Sequence, residues 1–338
     1  MSSPTTDFIR QALIQWFKEH GKDYPWRRTT DPWRILVSEV MLQQTTIATV
    51  LNRYERWLEQ FPTPKDLAEV TEEIALRSWE GLGYYRRVRS LQKIAKIVTE
   101  NFNGEFPKTF DEIKSLPGIG DYTAGALCSF AYNLATPIVD ANVARVIARL
   151  DNYREPVDAR LGVQYLWQRA KELIDPTEPR IFNSALMELG QTLCNKTPDC
   201  LLCPLRDHCQ GKMHHPEALP AKLPKIPTTA IEHHDVLYIH NGAILLTKSN
   251  QGRHVGMYRF PQREEEYFQL LEPVLTQKYS VTRYKVTRHI YHITVAPKIM
   301  EDEEMVPLSQ LVHVPFASPD RKALHSPAIS NILHHHLS

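Results

Sequence analysis

Residues 111–150 read DEIKSLPGIGDYTAGALCSFAYNLATPIVDANVARVIARL, and the organisation of the chain follows from this stretch. Two helical patterns flank short breaks at Leu116-Pro117-Gly118-Ile119-Gly120 and near Pro137. The first break has the form of a helix-hairpin-helix turn. Gly118 and Gly120 allow positive φ and carry no side chain, so backbone N–H groups at a helix start can approach a phosphate. An ordinary tight connection between helices has the same form, because a lone G-x-G is a weak signal. Twenty residues later, Asp140 in Val139-Asp140-Ala141-Asn142 opens the helix that carries Val143, Val146 and Ile147. Taken alone, Asp140 reads as a helix N-cap.

Outward from this stretch, the pattern is helical from about Phe8 to Cys209. Phe8, Ala12, Leu13, Trp16 and Phe17 share one face. Trp33, Leu36, Val37, Val40, Met41, Ile47 and Leu51 share another, and Ile181 to Leu193 runs directly into a group of cysteines. No strand alternation is visible in this part. Residues 211–229 intersperse Pro216, Pro220, Pro224 and Pro227 with lysines and read as an extended linker. Beyond them, Val236–Ile239, Asn241-Gly242 and Ala243–Thr247 form a hairpin with its preferred turn residues. Val281–Thr287 and Ile290–Val295 are expected strands; Ser309–Leu311 and Pro327–Leu333 are expected short helices. The domains are therefore placed at residues 1–212 (all-α), 213–230 (linker) and 231–338 (a smaller α+β domain).

The 338 residues are 42% hydrophobic and 23% charged, which excludes a disordered or fibrous chain. Forty basic residues nearly cancel thirty-nine acidic ones, so a polyanionic partner has to be met by a local patch. No apolar run approaches the roughly 20 residues of a spanning helix, and Met1–Arg10 lacks a signal pattern. A soluble, intracellular chain is expected.

Four of the five cysteines, Cys194, Cys200, Cys203 and Cys209, crowd together as C-x5-C-x2-C-x5-C. Such spacing can wrap four thiolates around one compact site, and tetrahedral zinc and a four-iron cluster both satisfy it. Arg206 and His208 would then project from a rigid loop towards phosphate. Glu39, in Ser38-Glu39-Val40-Met41-Leu42-Gln43-Gln44-Thr45, stands at the edge of an apolar helix face. A carboxyl at such a border can be desolvated and its pKa raised, as a general acid requires; a solvated surface glutamate is the alternative.

In chain order, Tyr24-Pro25-Trp26-Arg27, Ser38–Thr45, Trp79-Glu80-Gly81-Leu82-Gly83-Tyr84-Tyr85, the hairpin turn, Asp140 and the four cysteines form a set. The set resembles the helix-hairpin-helix DNA glycosylases with an iron–sulfur cluster, and within them the adenine glycosylases of the MutY family. The resemblance covers residues 8–212 strongly and the rest more loosely. It implies an all-α, two-lobed helix-hairpin-helix glycosylase domain with a 4Fe-4S cluster on Cys194, Cys200, Cys203 and Cys209, followed by a smaller C-terminal α+β Nudix-like domain. It also implies base excision repair: flipping of adenine opposite 8-oxoguanine or guanine out of double-stranded DNA, and hydrolysis of its N-glycosidic bond. Glu39 would protonate the leaving base and Asp140 would stabilise the positive sugar, with Tyr122 and Asn142 lining the pocket. Arg27, Gln44, Tyr84, Gly118 and Gly120 would contact DNA, with Gln44 and Tyr84 wedged into the stack and Arg86, Arg87 and Arg89 as a basic patch beside them. Where related bifunctional enzymes carry an attacking lysine, this chain has Tyr122, so Schiff-base strand scission is not expected. A monomer with no membrane association is expected, in the cytoplasm and nucleoid of a bacterium or the nucleus of a eukaryote.

Two features depart from the family. The first cysteine gap is five residues where six is usual, and Asp121 stands beside the phosphate-binding turn. In the C-terminal part, Gly256-Met257-Tyr258-Arg259-Phe260-Pro261 and Pro319-Asp320-Arg321-Lys322 fit a Nudix-like reader. Glu264-Glu265-Glu266 lacks the spacing of a magnesium-binding phosphohydrolase helix. The lesion-reading loop is matched to Val286-Thr287-Arg288-His289. Oxidation of guanine turns N7 into a donor, so Thr287 and His289, which can accept, are expected to read it, and Arg288 to contact phosphate or the C8 carbonyl. Two other classes compete with the glycosylase: a nucleotide pyrophosphohydrolase run by the C-terminal domain, and a non-catalytic DNA-binding scaffold. The missing acidic helix argues against the first, and retention of both Glu39 and Asp140 against the second.

Overall fold

The computed structural model of the chain describes residues 4–224, 226–250 and 255–336. Eleven helices come first: α1 (Pro4–His20), α2 (Pro32–Leu42), α3 (Ile47–Gln60), α4 (Pro64–Glu69), α5 (Glu72–Ser78), α6 (Arg86–Asn101), α7 (Phe110–Ser115), α8 (Asp121–Tyr132), α9 (Ala141–Leu150), α10 (Arg160–Leu173) and α11 (Pro179–Gln191). Among the described residues no strand precedes Thr229, as the helical periodicity predicts. No described helix is long and apolar enough to cross a membrane.

The compact units do not follow the chain in sequence. One comprises residues 1–68 and 93–224; the other takes residues 69–92 together with 225–338. The division differs from the contiguous boundaries expected from composition. The physical reason is a set of contacts made by residues 77–85 far along the chain. Arg321 donates to Glu80 at 2.8 and 2.9 Å. The Phe316 N–H donates to Glu80 at 3.1 Å, and the Tyr85 hydroxyl donates to the Phe316 carbonyl at 3.0 Å.

In the helical unit, α1, α9, α10 and α11 share a core that includes Ile9, Leu13, Val143, Ile147, Leu166, Phe182 and Leu189. Truncating one such residue to alanine costs about 2–5 kcal/mol. Polar termini set where the helices begin. Asp31 caps α2 by accepting from Trp33 N at 2.8 Å, and Thr109 with Glu112 closes a capping box on α7. The turn from α7 to α8 needs Gly118 at φ 82°, and Gly120 occupies the N-cap of α8. Asp121 in the first turn of α8 pairs with Lys114 at 2.5 Å, which offsets the negative charge beside this turn.

Two thirds of the expected linker is not free. Arg149 donates to the carbonyl oxygens of Pro216 (2.7 Å) and Leu219 (3.2 Å), Val157 N donates to Ala221 O, and Leu219 is buried. Residues 213–224 therefore pack on the helical unit, because a buried guanidinium requires the carbonyls they supply.

In the second unit, β1 (Thr229–His240), β2 (Ala243–Lys248), β3 (Tyr258–Arg259), β4 (Gln262–Arg263), β5 (Leu275–Val281), β6 (Tyr284–Ile293) and β7 (Glu303–Pro307) form one sheet in the order β3-β2-β1-β6-β5, with β4 on β1 and β7 on β2. The expected hairpin is β1–β2, turning at Asn241 (φ 48°) and Gly242 (φ 69°). Strand β1 also runs parallel to β6 from Thr229↔Tyr284 to Tyr238↔Ile293. The strands expected at Val281–Thr287 and Ile290–Val295 merge in the single strand β6 from Tyr284 to Ile293, while Val281 ends β5 and a turn with Thr282 at φ 52° joins the two. Helices α12 (Ser318–Leu324) and α13 (Pro327–His335) complete an α+β unit; α12 was not expected. Leu237, Ile239, Phe260, Ile290, Phe316 and Ile329 fill one core of the unit, and Val236, Tyr238, Leu245, Phe268 and Tyr291 fill another.

Candidate active site

Helix α2 buries residues Trp33 and Ile35 through Met41, so its last turn has no solvated face and Glu39 is 4% exposed. The sequence placed this residue at a border; the structure puts it inside. Burial, reinforced by the charge of Asp140, raises its pKa from the usual carboxylate range to about 7, against a hydrogen bond from Tyr122 and the nearby charge of Arg27. Tyr122, in the first turn of α8, has its own pKa raised well above the ordinary value by burial and by both carboxylates. Tyr122 also reaches Met187 Sδ at 3.9 Å.

Asp140 is a helix cap and a cavity residue at once. Its Oδ1 accepts from Val143 N at 2.7 Å and its Oδ2 from Asn142 Nδ2 at 2.8 Å. Burial raises its pKa while these bonds oppose the shift. Asn142 in turn accepts from Arg145 Nη2 at 2.8 Å, which fixes the side chain that holds Asp140. Close contact of α9 with α11 depends on Gly190, where an added Cβ would stand 2.7 Å from Asn142 Cβ.

Glu39, Tyr122, Asp140 and Asn142 line one cavity of about 370 Å³, together with Arg27, Gln44, Arg180 and Met187. Two of its charged residues have partners that the sequence did not single out. Arg27 pairs with the buried carboxylate of Glu188 at 2.9 Å, lies over the rings of Phe17 and Tyr24, and donates to Lys22 O at 2.7 Å. Its guanidinium is thus engaged at the cavity wall, where the sequence led to the expectation of a DNA contact. Arg180 donates to the carbonyl oxygens of Arg27 and Thr29 at 2.8 and 2.6 Å. Neither Glu188 nor Arg180 has a local sequence signature, since their partners lie more than 150 residues away.

Gln44 and Tyr84 share an uncommon backbone state for non-glycine residues, at φ 56° and 48°, and both are exposed. The expected basic patch of Arg86, Arg87 and Arg89 is corrected. Arg87 is 5% exposed and donates to Leu82 O and Gly83 O, so it shapes the turn that presents Tyr84. Arg89 pairs with Glu72 at 2.7 Å. Arg86 alone of the three is exposed.

The cysteine loop follows α11 and is fastened to α9. Arg149 donates to Cys194 O (3.0 Å), Cys194 Sγ (3.4 Å) and Asn195 O (2.6 Å), and the Cys209 thiol donates to Arg149 O at 3.4 Å. Cys194, Cys203 and Cys209 pack against the same hydrophobic core. Burial raises the Cys203 thiol, and the charges of Cys194, Cys209 and Cys200 raise it further, so the four sulfurs share one neighbourhood. Among the described residues, no three His, Cys, Asp or Glu side chains converge as ligands of a single metal ion. Four clustered thiols are the donor type that an iron–sulfur cluster takes.

In the C-terminal unit, Val286–His289 is not a loop but the middle of β6, hydrogen-bonded to β1 and β5. Thr287 and His289 share the partly exposed face, where His289 Nδ1 meets Thr276 Oγ1 at 3.0 Å and stacks on His234. Arg288 points the other way. It is 2% exposed and ion-paired with Asp235 and Asp320, and so does not share the accessible face on which a contact with phosphate or the C8 carbonyl was expected. Two-residue periodicity separates it from its neighbours.

Residues 37–171 match the sequence profile of the HhH-GPD superfamily of base excision DNA repair proteins. The solved structure of a thermostable thymine-DNA glycosylase superimposes with a TM-score of 0.57 at 26% identity, over 61% of this chain and 96% of that one. Endonuclease III trapped as a covalent intermediate on DNA gives 0.52 at 28%, over 62% and 97%. Among curated proteins, the adenine DNA glycosylase of Homo sapiens is 42% identical over 60% of this chain and 39% of its own length. That of Arabidopsis thaliana is 36% identical over 77% and 48%. That of Mycolicibacterium smegmatis is 39% identical over 59% and 68%. The chain spans less than half the length of the human and plant relatives. It belongs to the MutY family of adenine DNA glycosylases.

Proposed function

We propose that the chain excises adenine from duplex DNA by hydrolysing the N-glycosidic bond, acting on adenine opposite 8-oxoguanine or guanine. The observation that carries this reading is the pair of buried carboxyl groups on one cavity, with Glu39 poised near pH 7 and Asp140 held by Asn142 and Val143 N. A carboxyl that retains its proton near neutrality can donate it to the departing base. The second carboxylate, fixed by two hydrogen bonds, can stabilise an oxocarbenium-like sugar. Tyr122 offers a hydroxyl where a Schiff base would need an amine, so release is hydrolytic and the strand stays intact. Gln44 and Tyr84 would fill the stack that the flipped adenine leaves, and Gly118 and Gly120 would bring backbone N–H groups to phosphate.

Cys194, Cys200, Cys203 and Cys209 would hold a 4Fe-4S cluster, which orders the loop carrying Arg206 when bound. The C-terminal unit would be a Nudix-like module that reads 8-oxoguanine through Thr287 and His289, the side chains on the accessible face of β6. Glu264–Glu266 enters a 3-10 turn at Glu265–Phe268 and not a longer helix, which disfavours the phosphohydrolase alternative. The same reading has the protein act as a monomer on genomic DNA, in a bacterial nucleoid or a eukaryotic nucleus.

The test is incubation with duplexes containing A opposite 8-oxoguanine, A opposite G, and thymine glycol, followed by alkali. Release of adenine from the first two only is expected. Glu39→Gln and Asp140→Asn should each lower excision by at least ~100-fold with duplex binding retained, the worth of a positioned proton donor. Full activity in either variant would overturn the assignment.

A further inference from the structure

A second cavity, of about 210 Å³, lies wholly within the C-terminal unit. Strand periodicity builds it. His233 and Asp235 of β1, Val286 and Arg288 of β6, and Tyr279 and Val281 of β5 all fall on the face opposite Thr287 and His289. Arg259, Phe260 and Asp320 close it from the side.

Its floor is a buried charged group that the protein does not fully satisfy. Arg288 donates through Nε to Asp235 Oδ2 and through Nη2 to Asp320 Oδ1 at 2.5 Å, and Asp320 also accepts from Phe260 N at 3.3 Å. Three buried polar atoms remain without a hydrogen-bond partner among the described residues: Asp235 Oδ1, Arg288 Nη1 and Arg259 Nε. Asp235 and Arg288 are each 2% exposed. Leaving a buried charged group's donor or acceptor unmade is costly, so an occupant that completes these bonds is favoured.

The chemistry of that occupant can be read from what is spare. Two guanidinium donors call for acceptors, and one carboxylate oxygen calls for a donor. Arg288 and Arg259 balance Asp235 and Asp320 in charge, so a neutral ligand is suited better than an ion. Phe260, Tyr279 and Tyr258 supply aromatic walls for a flat ring. The volume lies below the roughly 300 Å³ at which sites for drug-sized ligands begin. One ring system fits, with its substituent directed past the partly exposed Tyr279 and Tyr284.

We propose that this cavity binds a free nucleoside whose base carries a lactam edge, a carbonyl oxygen beside a ring N–H, as in guanine and thymine. The carbonyl would accept from Arg288 Nη1 or Arg259 Nε, and the ring N–H would donate to Asp235 Oδ1. The site is separate from lesion reading on the opposite face of β6 and from the Glu39 cavity.

Isothermal titration of the full chain, without DNA, tests it using 2′-deoxyguanosine and thymidine, with N1-methyl-2′-deoxyguanosine and N3-methylthymidine, in which a methyl group replaces the ring N–H, as the controls. Expected is saturable one-to-one binding of at least one lactam nucleoside below about 5 mM, with its N-methylated form at least ~10-fold weaker. The preferred nucleoside identifies whether a fused or a single ring fills the site. Val281→Phe, which fills the cavity, and Arg259→Met, which removes one donor and leaves the ion-paired floor, should each weaken binding at least ~10-fold, with folding checked by circular dichroism. No saturable binding means that ordered water satisfies the floor and overturns the proposal. So does equal binding of the N-methylated form, or binding unchanged in both variants. Because no DNA is present, the outcome is independent of base excision.

Discussion

Arg27 and Glu188 meet at 2.9 Å beside the cavity, although 161 residues separate them in the chain, and the Glu188 side chain is 1% exposed. A carboxylate so deeply buried depends on its cation, and the cation, clamped over Phe17 and Tyr24, is kept from swinging outward. Removing one partner of a buried pair leaves an uncompensated charge. Arg27→Met is therefore expected to destabilise the protein by about 2–4 kcal/mol. The double variant Arg27→Met, Glu188→Leu should recover part of that loss. Urea denaturation of the wild type, Arg27→Met, Glu188→Leu and the double variant measures it, and additive losses would show that the pair is not coupled.

Stability should report the state of Glu39. Its folded pKa of about 7 lies above its ordinary value of 4.5, so the folded protein binds the proton more tightly than the unfolded chain. The stabilisation is complete below the unfolded pKa and is lost as pH rises through 7. Glu39→Gln lacks this loss. Relative to the wild type, its stability should rise on the order of 2 kcal/mol between about pH 5 and about pH 8. A pH-independent difference in denaturation midpoints would place the Glu39 pKa elsewhere.

The cysteine loop should carry colour. Purified protein is expected to be brown with broad visible absorbance, and Cys203→Ser should be pale and poorly folded after residue 193. Colourless protein with one stoichiometric zinc would favour the single-ion alternative instead.

With a hydroxyl at Tyr122, borohydride should trap little protein on DNA, and strands should break only after alkali. Efficient trapping by the wild type would reveal another attacking amine.

On the accessible face of β6, Thr287→Val and His289→Ala are each expected to lower the preference for A opposite 8-oxoguanine over A opposite G by about 1 kcal/mol, the worth of a hydrogen bond. The His289 ring is already positioned by Thr276 and His234. Arg288 is unsuitable for the same test, because removing it would strand Asp235 and Asp320 in the core. Binding isotherms with the two duplexes give the answer; unchanged preference in both variants places the reader elsewhere.

The features legible in the order of residues are local. Helical periodicity, the glycines of the 116–120 turn, the Asn241-Gly242 hairpin and the cysteine spacing each depend on neighbours a few residues apart, and backbone sterics and capping act over that range. Glu39, Asp140, Tyr122 and Asn142 were legible because their motifs carry them, and the structure lines one cavity with all four. Tertiary structure alone decided what depends on distant partners. It buried Glu39 beyond the helix edge on which periodicity placed it, bound Arg27 to Glu188, turned Arg87 and Arg288 inward, and drew residues 69–92 to the C-terminal sheet. Charge is the common thread in these corrections. An arginine looks the same in sequence whether it faces water or two carboxylates, because desolvation and pairing are set by groups that only folding brings near.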